Sequence, residues 1–299
     1  MKSILDLTGT NLESTIQYKV SKFPDGQQTI DITNVYITSP TVEIRSRLTN
    51  FRDLELIVCA TQALRNLGIK DIELYVPYFI GGRSDRKFQV GGVHYLKQVV
   101  APIINLQEYS KVTVIDPHSD VLESVLNSFE KGSHYDFIKW ALTKIDNKDG
   151  AQDRVHLVSP DAGAYKKIFD VAKFFKIPNI VTANKVRDVI TGQIVKTEVP
   201  VNVYDAGKTF VIIDDICDGG RTFIEMAKAI KDRVKDSHVD IGPTKIYLVV
   251  THGIFSNGLL ELSRHLDGVF STNSVSNYNV EYNSDYTVDK DFLKQCNVF

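Results

Sequence analysis

Short apolar runs bounded by charged or glycine-rich turns alternate along this chain with segments of helical periodicity. Asp71–Val76, Val112–Ile115, Val155–Val158, Ile180–Ala183, Thr209–Ile213 and Thr244–Val250 have the length and apolar content of buried strands. Between them, Asp53–Leu67, Val93–Ile104, Val121–Phe129, Ala164–Phe174 and Phe223–Val234 space their apolar residues as helices do. Strands alternating with helices predict an α/β fold with a largely parallel sheet. Ser14–Val20 and Gln28–Ile32 alternate apolar and polar residues and predict antiparallel strands at one edge. No repeat of solenoid period is present. The two halves share a plan of strands ending in acid-rich turns, which predicts two similar lobes. The polar stretch Asp146–Arg154, with Gly150, predicts a surface connection near their boundary.

The 299-residue length agrees with about two domains. With 43% hydrophobic and 24% charged residues the chain can bury a core and is not disordered. A formal charge of −2 gives no general attraction to nucleic acid or anionic membrane. Cys59, Cys217 and Cys296 are odd in number and far apart, which fits a reducing, cytoplasmic compartment and no disulfide framework. No apolar run approaches a transmembrane length, and no signal peptide is expected at Met1–Leu7.

The chemistry concentrates at strand ends. Phe210–Ile213 runs into Asp214 and Asp215, then Asp218-Gly219-Gly220-Arg221-Thr222, then the helical run from Phe223. A strand–loop–helix of this kind aims backbone N–H groups and a helix N-terminus at one point and suits a phosphate. The paired carboxylates suit ribose hydroxyls and a divalent cation. The plainer alternative is an ordinary β–α turn with solvated acids. Arg83-Ser84-Asp85-Arg86-Lys87 gathers three cations after a strand and suits polyphosphate, or is a solvated turn. Asp116-Pro117-His118-Ser119-Asp120 sets a histidine among carboxylates, fit for proton transfer or a cation, although Mg²⁺ prefers oxygen and a lone histidine is often structural. Asp161-Ala162-Gly163 opens a helix carrying Lys166 and Lys167 and is a second possible phosphate turn, or a plain one. Asn184-Lys185-Val186-Arg187-Asp188 begins a polar stretch that reads as a mobile loop or hairpin with two cations, either closing over a phosphoryl-transfer site or lying on the surface. Gly207-Lys208-Thr209 imitates the end of a P-loop, but it precedes a strand and opens no helix, so it is read as a turn.

The Asp214 loop resembles the phosphoribosyl diphosphate loop of type I phosphoribosyltransferases. The motifs together, in this order, resemble the ribose-phosphate diphosphokinase (phosphoribosyl diphosphate synthetase) family, from Lys22-Phe23-Pro24-Asp25-Gly26 to Thr251–Ser256 and Ser271-Thr272-Asn273. The resemblance implies two phosphoribosyltransferase-like domains, placed at residues 1–140 for ATP and 141–299 for the sugar phosphate. It implies transfer of the β,γ-diphosphate of ATP to the C1 hydroxyl of ribose 5-phosphate, with Mg²⁺, releasing AMP. By the same resemblance, Phe23, Asp25, Gln27, Arg83, Ser84, Asp85 and Lys87 bind ATP, the first three meeting adenine in a neighbouring subunit of a homo-oligomer. His118 and Asp161 are associated with magnesium. Lys185 and Arg187, with His118, are the catalytic set. Asp214 and Asp215 hold ribose hydroxyls, and Asp218, Gly219, Gly220, Arg221 and Thr222 cradle the 5-phosphate.

The chain departs from the family at several points. Gln27 stands where glutamate is usual and Ser84 where glutamine is usual. Phe88–His94 replaces a polar regulatory segment, so an unregulated, dimer-based enzyme is expected in place of the usual hexamer. The sugar-phosphate loop has Gly219 where threonine is usual and gains Arg221. A wider, more cationic pocket of that kind would admit a 5-substituted acceptor such as ADP-ribose, which would tie the protein to NAD metabolism. A non-catalytic, synthetase-associated homologue is a further alternative, against which Lys185, Arg187, His118 and Asp161 argue. A phosphoribosyltransferase that consumes the diphosphate would leave Arg83–Lys87 without a purpose.

Overall fold

The computed structural model describes residues 2–9, 14–34, 37, 39–145, 154–187, 194–235, 242–278, 288–289 and 291–299, with the backbone alone at 185–187 and 194–196. The chain forms two compact units, Met1–Ser133 with Asn297–Phe299, and His134–Cys296. No helix among the described residues is long and apolar enough to cross a membrane.

The first unit runs β1 (Ser3–Asp6), β2 (Tyr18–Lys22), β3 (Gln28–Ile32), β4 (Thr41–Arg45), α1 (Phe51–Asn66), β5 (Asp71–Tyr75), a π-helical turn (Leu96–Val100) continuing into α2 (Ala101–Asn105), β6 (Lys111–Ile115), α3 (Val121–Val125) and β7 (Phe129–Gly132). Its sheet is parallel in the order β1-β4-β5-β6-β7. Buried residues of these strands, among them Leu5, Val42, Ile44, Leu74 and Val112, join Leu54, Ile57, Ala60 and Leu64 of α1 in one core. The Asn50 side chain starts α1 by accepting from the Arg52 and Asp53 N–H groups at 2.8 and 3.1 Å, a cap worth about 1 kcal/mol. Residues 297–299 return to this unit, where the Tyr75 hydroxyl donates to the Val298 carbonyl at 2.7 Å.

The second unit runs α4 (Tyr135–Ile145), β8 (Val155–Ser159), α5 (Tyr165–Phe175), β9 (Asn179–Thr182), β10 (Asn184–Arg187), β11 (Ile194–Glu198), a 3₁₀ turn (Val203–Asp205), β12 (Thr209–Cys217), α6 (Arg221–Val234), β13 (Lys245–Gly253), α7 (Leu260–His265), β14 (Gly268–Thr272) and β15 (Leu293–Cys296). Its sheet is parallel in the order β15-β14-β13-β12-β8-β9. Interior β12 is apolar on both faces, as a strand covered on both sides must be. Phe210 and Ile212 pack with Phe223, Met226 and Ile230 of α6. Val211 and Ile213 pack with Phe137 and Ile138 of α4 and with Ile168 and Val171 of α5.

The parallel α/β architecture and the six strands expected from apolar runs are present. The exceptions have local causes. The run from Val93 becomes helical only at Leu96, and its first turn is π-helical, with the Ala101 N–H bonded to the Leu96 carbonyl. Pro102 lacks an N–H and crowds the carbonyl four residues back, which the wider turn relieves. The run from Val121 stops at Val125, because the Asn105 amide takes the Val125 carbonyl at 2.8 Å and the Asn105 side-chain carbonyl takes the Asn127 N–H at 2.9 Å, turning the chain into β7. The paired segments near the N-terminus form a separate hairpin, β2–β3, and are not an edge of the sheet. Residues 14–17 lie outside this hairpin, and the Thr15 and Ile16 N–H groups bond the Ile4 carbonyl. Most of the connection expected at 146–154 lies outside the described residues.

Candidate functional site

In the second unit the acid pair does not end β12, as expected, but lies within it. Pairing with β13 continues to Cys217↔Gly253, whereas pairing with β8 stops at Ile212↔Val158. Asp214 and Asp215 therefore sit just past the end of β8, at the carboxyl edge of a parallel sheet, where α/β folds bind ligands. The Asp215 N–H donates to Asp214 Oδ1 at 2.9 Å, and the two carboxyl groups hydrogen-bond each other. Asp214 keeps some solvent access at its edge. Burial, and then the Asp215 charge, push its carboxyl from 3.8 up to about 8, against a smaller opposing pull from Lys167 on α5. A raised carboxyl beside a second acid favours one shared proton, and a pair in that state can both donate to and accept from a vicinal diol. Burial and the neighbouring Asp214 and Asp218 raise the Cys217 thiol to about 12, so it is inert.

The loop that follows is built for close backbone approach. Gly220 has φ +80°, and a Cβ there would lie 2.9 Å from Leu262 Cδ2 of α7. Its carbonyl accepts from the Phe223 and Ile224 N–H groups, opening α6, whose first-turn amides have no partner further back in the helix. Gly219 has a different reason to be glycine. A Cβ there would lie 2.7 Å from Nδ2 of Asn257, so the volume left by the missing threonine is filled by a carboxamide. Ser256 Oγ donates to Asp218 Oδ1 at 2.6 Å. Arg221 is exposed and Thr222 half-buried at the helix start.

Elsewhere in this unit, Asp161 Oδ1 accepts from the Ala164 N–H at 3.1 Å, and the Asp161 carbonyl accepts from Ser159 Oγ at 2.7 Å, so this acid helps shape the turn into α5. Lys185 and Arg187 lie on β10, antiparallel to β11, with a register shift between Val186 and Arg187. Residues 188–193, including Asp188, lie outside the described residues.

In the first unit the motifs after β5 and β6 come together. Ile115 N–H bonds the Pro77 carbonyl, and Val76 N–H bonds the Thr113 carbonyl. Gly81 has φ +82°, and a Cβ there would meet the Tyr95 ring at 2.7 Å, so the loop closes onto the start of the π turn. A Cβ at Gly82 would lie 4.0 Å from the Cβ of His118, which puts the histidine loop against the Arg83–Lys87 loop. Asp116, at the turn between them, is buried with φ +46°. Arg83, Lys87 and His118 are exposed; Ser84 and Asp85 are half-buried. The Arg86 guanidinium lies 5.6 Å from the centre of the Phe88 ring. Phe23, Asp25 and Gln27 are exposed at the tip of the β2–β3 hairpin, closed by Phe23 N–H to the Gln27 carbonyl and by Gln27 N–H to Asp25 Oδ1 at 3.1 Å.

No group of three or more histidine, cysteine or acidic side chains converges on a metal position among the described residues. Mg²⁺ does not require one, since it takes one or two carboxylates together with substrate phosphates and keeps several waters. The oxygen donors of Asp214, Asp215 and Asp161 fit that mode, and the imidazole of His118 fits it less well. Sequence reasoning named Lys167 only in a possible phosphate turn and Ser256 only within the span of the resemblance, and it missed Asn257. It also missed a buried network at the ends of β13 and β14, where His252 Nδ1 pairs with Ser274 Oγ at 2.8 Å. The Ser256-Asn257-Gly258 turn was the signal for Asn257.

Residues 158–290 match the family model described as phosphoribosyl synthetase-associated domain. The chain is 26% identical over 245 residues to a ribose-phosphate pyrophosphokinase of Marinomonas sp. (strain MWYL1), covering 81% of this chain and 72% of that protein. It is 28% identical over 262 residues to the ribose-phosphate pyrophosphokinase of Vibrio vulnificus (strain YJ016), covering 86% and 78%. The crystal structure of phosphoribosylpyrophosphate synthetase from Mycobacterium smegmatis superposes with a TM-score of 0.72 at 16% identity, covering 99% of this chain and 95% of the other, and so shares its fold. With the two α/β units and the strand-end loops, these likenesses relate the chain to the ribose-phosphate pyrophosphokinases (diphosphokinases).

Proposed function

We propose that the protein is an ATP-dependent diphosphokinase that transfers the β,γ-diphosphate of ATP to the C1 hydroxyl of ribose 5-phosphate, giving phosphoribosyl diphosphate and AMP. The observation that carries this reading is the β12–α6 cradle: an adjacent acid pair, a glycine loop and the first turn of a long helix. In this reading residues 141–299 hold the acceptor. Asp214 and Asp215 take its ring hydroxyls, and the Asp218–Thr222 loop takes its 5-phosphate on backbone amides and the Arg221 cation. Residues 1–140 hold ATP, with Arg83, Ser84, Asp85 and Lys87 along the phosphates and Phe23, Asp25 and Gln27 at the adenine of a neighbouring copy. Asp161 and His118 are the residues assigned to Mg²⁺ by the resemblance, and the ion would supply charge neutralisation on the diphosphate.

The protein's part is positioning. The sugar hydroxyl must approach the β-phosphorus in line while charge builds on the leaving AMP oxygen. Lys185 and Arg187 of the β10–β11 hairpin are the cations assigned to that charge. The test is AMP release from ATP and Mg²⁺, with ribose 5-phosphate and ADP-ribose offered separately and the products resolved by phosphorus NMR. Diphosphate transfer to C1 of ribose 5-phosphate supports the assignment. Transfer to ADP-ribose alone moves the enzyme to NAD metabolism, and no AMP release with either acceptor refutes the catalytic reading.

A further inference from the structure

Gly219 does not need to be glycine for its backbone, because its φ lies outside the left-handed region. What it supplies is room. The Asn257 amide nitrogen would be 2.7 Å, and its Cγ 3.4 Å, from a Cβ at that position. Asn257 reaches the loop from a turn that is itself firmly built. The Phe255 ring fills the space over Gly253, where a Cβ would meet it at 2.2 Å, and packs edge-on against Tyr278 at 5.3 Å. The Tyr278 hydroxyl donates to the Ile254 carbonyl at 2.5 Å. Ile254 and Phe255 N–H groups bond the Cys217 carbonyl at 2.8 and 3.2 Å, and Gly258 N–H closes the turn on Phe255 at 2.8 Å. Two neighbouring side chains of this turn then meet two neighbouring residues of the loop: Ser256 on Asp218 at 2.6 Å, and Asn257 on the Gly219 carbonyl at 3.4 Å.

A carboxamide has two N–H donors, and the long contact to Gly219 uses one of them weakly. The Asn257 side chain is solvent-exposed, so it is presented to a ligand and is not buried as packing. We infer that Asn257 reads the acceptor: its amide, seated where Gly219 leaves space, donates to the 5-phosphoryl group of a ribose held on the Gly219–Thr222 loop. This assignment rests on the diphosphokinase reading. A phosphomonoester (ribose 5-phosphate) and the first phosphate of a diphosphate diester (ADP-ribose) present the same anionic oxygens, and separate arms distinguish them.

The experiment is calorimetric binding of ribose 5-phosphate and of ADP-ribose to the full chain with Mg²⁺, alongside AMP-release kinetics, for the wild type, Asn257→Ala, Asn257→Asp and Gly219→Ala. Loss of a charge-assisted hydrogen bond predicts an acceptor Kd and KM raised about tenfold in Asn257→Ala, with the KM for ATP within about twofold of wild type. Asn257→Asp keeps the shape and reverses the electrostatics, so it should be worse than Asn257→Ala for the acceptor that the protein uses. Gly219→Ala displaces the amide without backbone strain and should reproduce the Asn257→Ala effect, and the double variant should be no worse than either. The inference fails, with the functional reading intact, if the wild type binds an acceptor and Asn257→Ala binds it equally well, or if the aspartate variant is the milder one. Wild-type protein that binds neither acceptor overturns both.

Discussion

The raised Asp214 carboxyl makes a stability measurement that needs no substrate. Asp214→Asn removes the titration while keeping an oxygen to accept the Asp215 N–H. In the wild type the folded carboxyl titrates at about 8, against an ordinary value of 3.8. Below 3.8 both folded and unfolded states are protonated, and above 8 both are ionised. Between those limits only the folded state keeps the proton, so its contribution to stability is full at low pH and is lost as pH rises toward 8. At about 1.4 kcal/mol per pH unit, the loss between pH 5 and pH 8 is at most about 3–4 kcal/mol. Sharing of the proton with Asp215 reduces that, and about 2 kcal/mol is expected.

The assay is urea unfolding at pH 5 and pH 8, followed by fluorescence of Trp140, the sole tryptophan of the chain. Trp140 lies on α4, edge-on to Phe270 of the second unit's sheet, and so reports on the unit that holds the pair. Taking the difference between wild type and Asp214→Asn cancels the remaining titrating groups, including His156, whose imidazole burial holds below its ordinary value. Wild-type stability should fall with pH relative to the variant. Parallel curves, within about 0.5 kcal/mol over this range, would show that the pair does not hold the proton and that its acids are independently solvated.

Two other substitutions test different links. Gly220→Ala must place a Cβ at φ +80° and 2.9 Å from Leu262, so it combines left-handed strain with overpacking and should cost about 2–4 kcal/mol in the same Trp140 assay. A loss below about 0.5 kcal/mol would mean that the loop relaxes freely. Lys185→Ala should lower kcat by about 10²–10³ while ATP affinity, measured calorimetrically, holds. If ATP binding disappears instead, Lys185 is a binding residue and the transition-state assignment is wrong.

Elements that bury both faces were readable from their residues. Phe210–Ile213 and the Val249–Val250 end of the neighbouring strand leave little alternative to interior strands. The strands at or near the sheet edges were not readable. β7 is Phe-Glu-Lys-Gly and β15 is Leu-Lys-Gln-Cys, and both take their form from the strand beside them. Helix α4 was overlooked although Phe137, Ile138, Trp140, Ala141, Leu142 and Ile145 give it an apolar side that packs in the second unit's core. At the candidate site the glycine-rich loop was legible as a motif, but the reason for each glycine was not. Gly220 answers to its own dihedral and to Leu262, whereas Gly219 answers to a residue 38 positions away. Such a long-range reason leaves no local trace.

A phosphate loop edged by Asp214, Asp215 and Asp218 looks electrostatically self-defeating, and the structure shows how the conflict is met. Burial and the Asp215 charge raise the Asp214 carboxyl, which favours its neutral form, and Lys167 of α5 exerts a smaller opposing pull. The third acid is engaged by the Ser256 hydroxyl and turned toward its own turn. In the proposed site the groups left to meet a phosphate are the amide-rich start of α6, the Arg221 side chain and the Asn257 amide N–H, all of them donors. In the proposed function the acids take the hydroxyls of a sugar and the donors take its phosphate, and the two sets are kept apart along the same short loop. An anion lacking a neighbouring diol would use only the second set. For that reason inorganic phosphate alone should bind more weakly than a ribose phosphate, by the contribution of two hydroxyl contacts, about 1 kcal/mol each. Equal affinity for the two would mean that the acid pair takes no part in recognition.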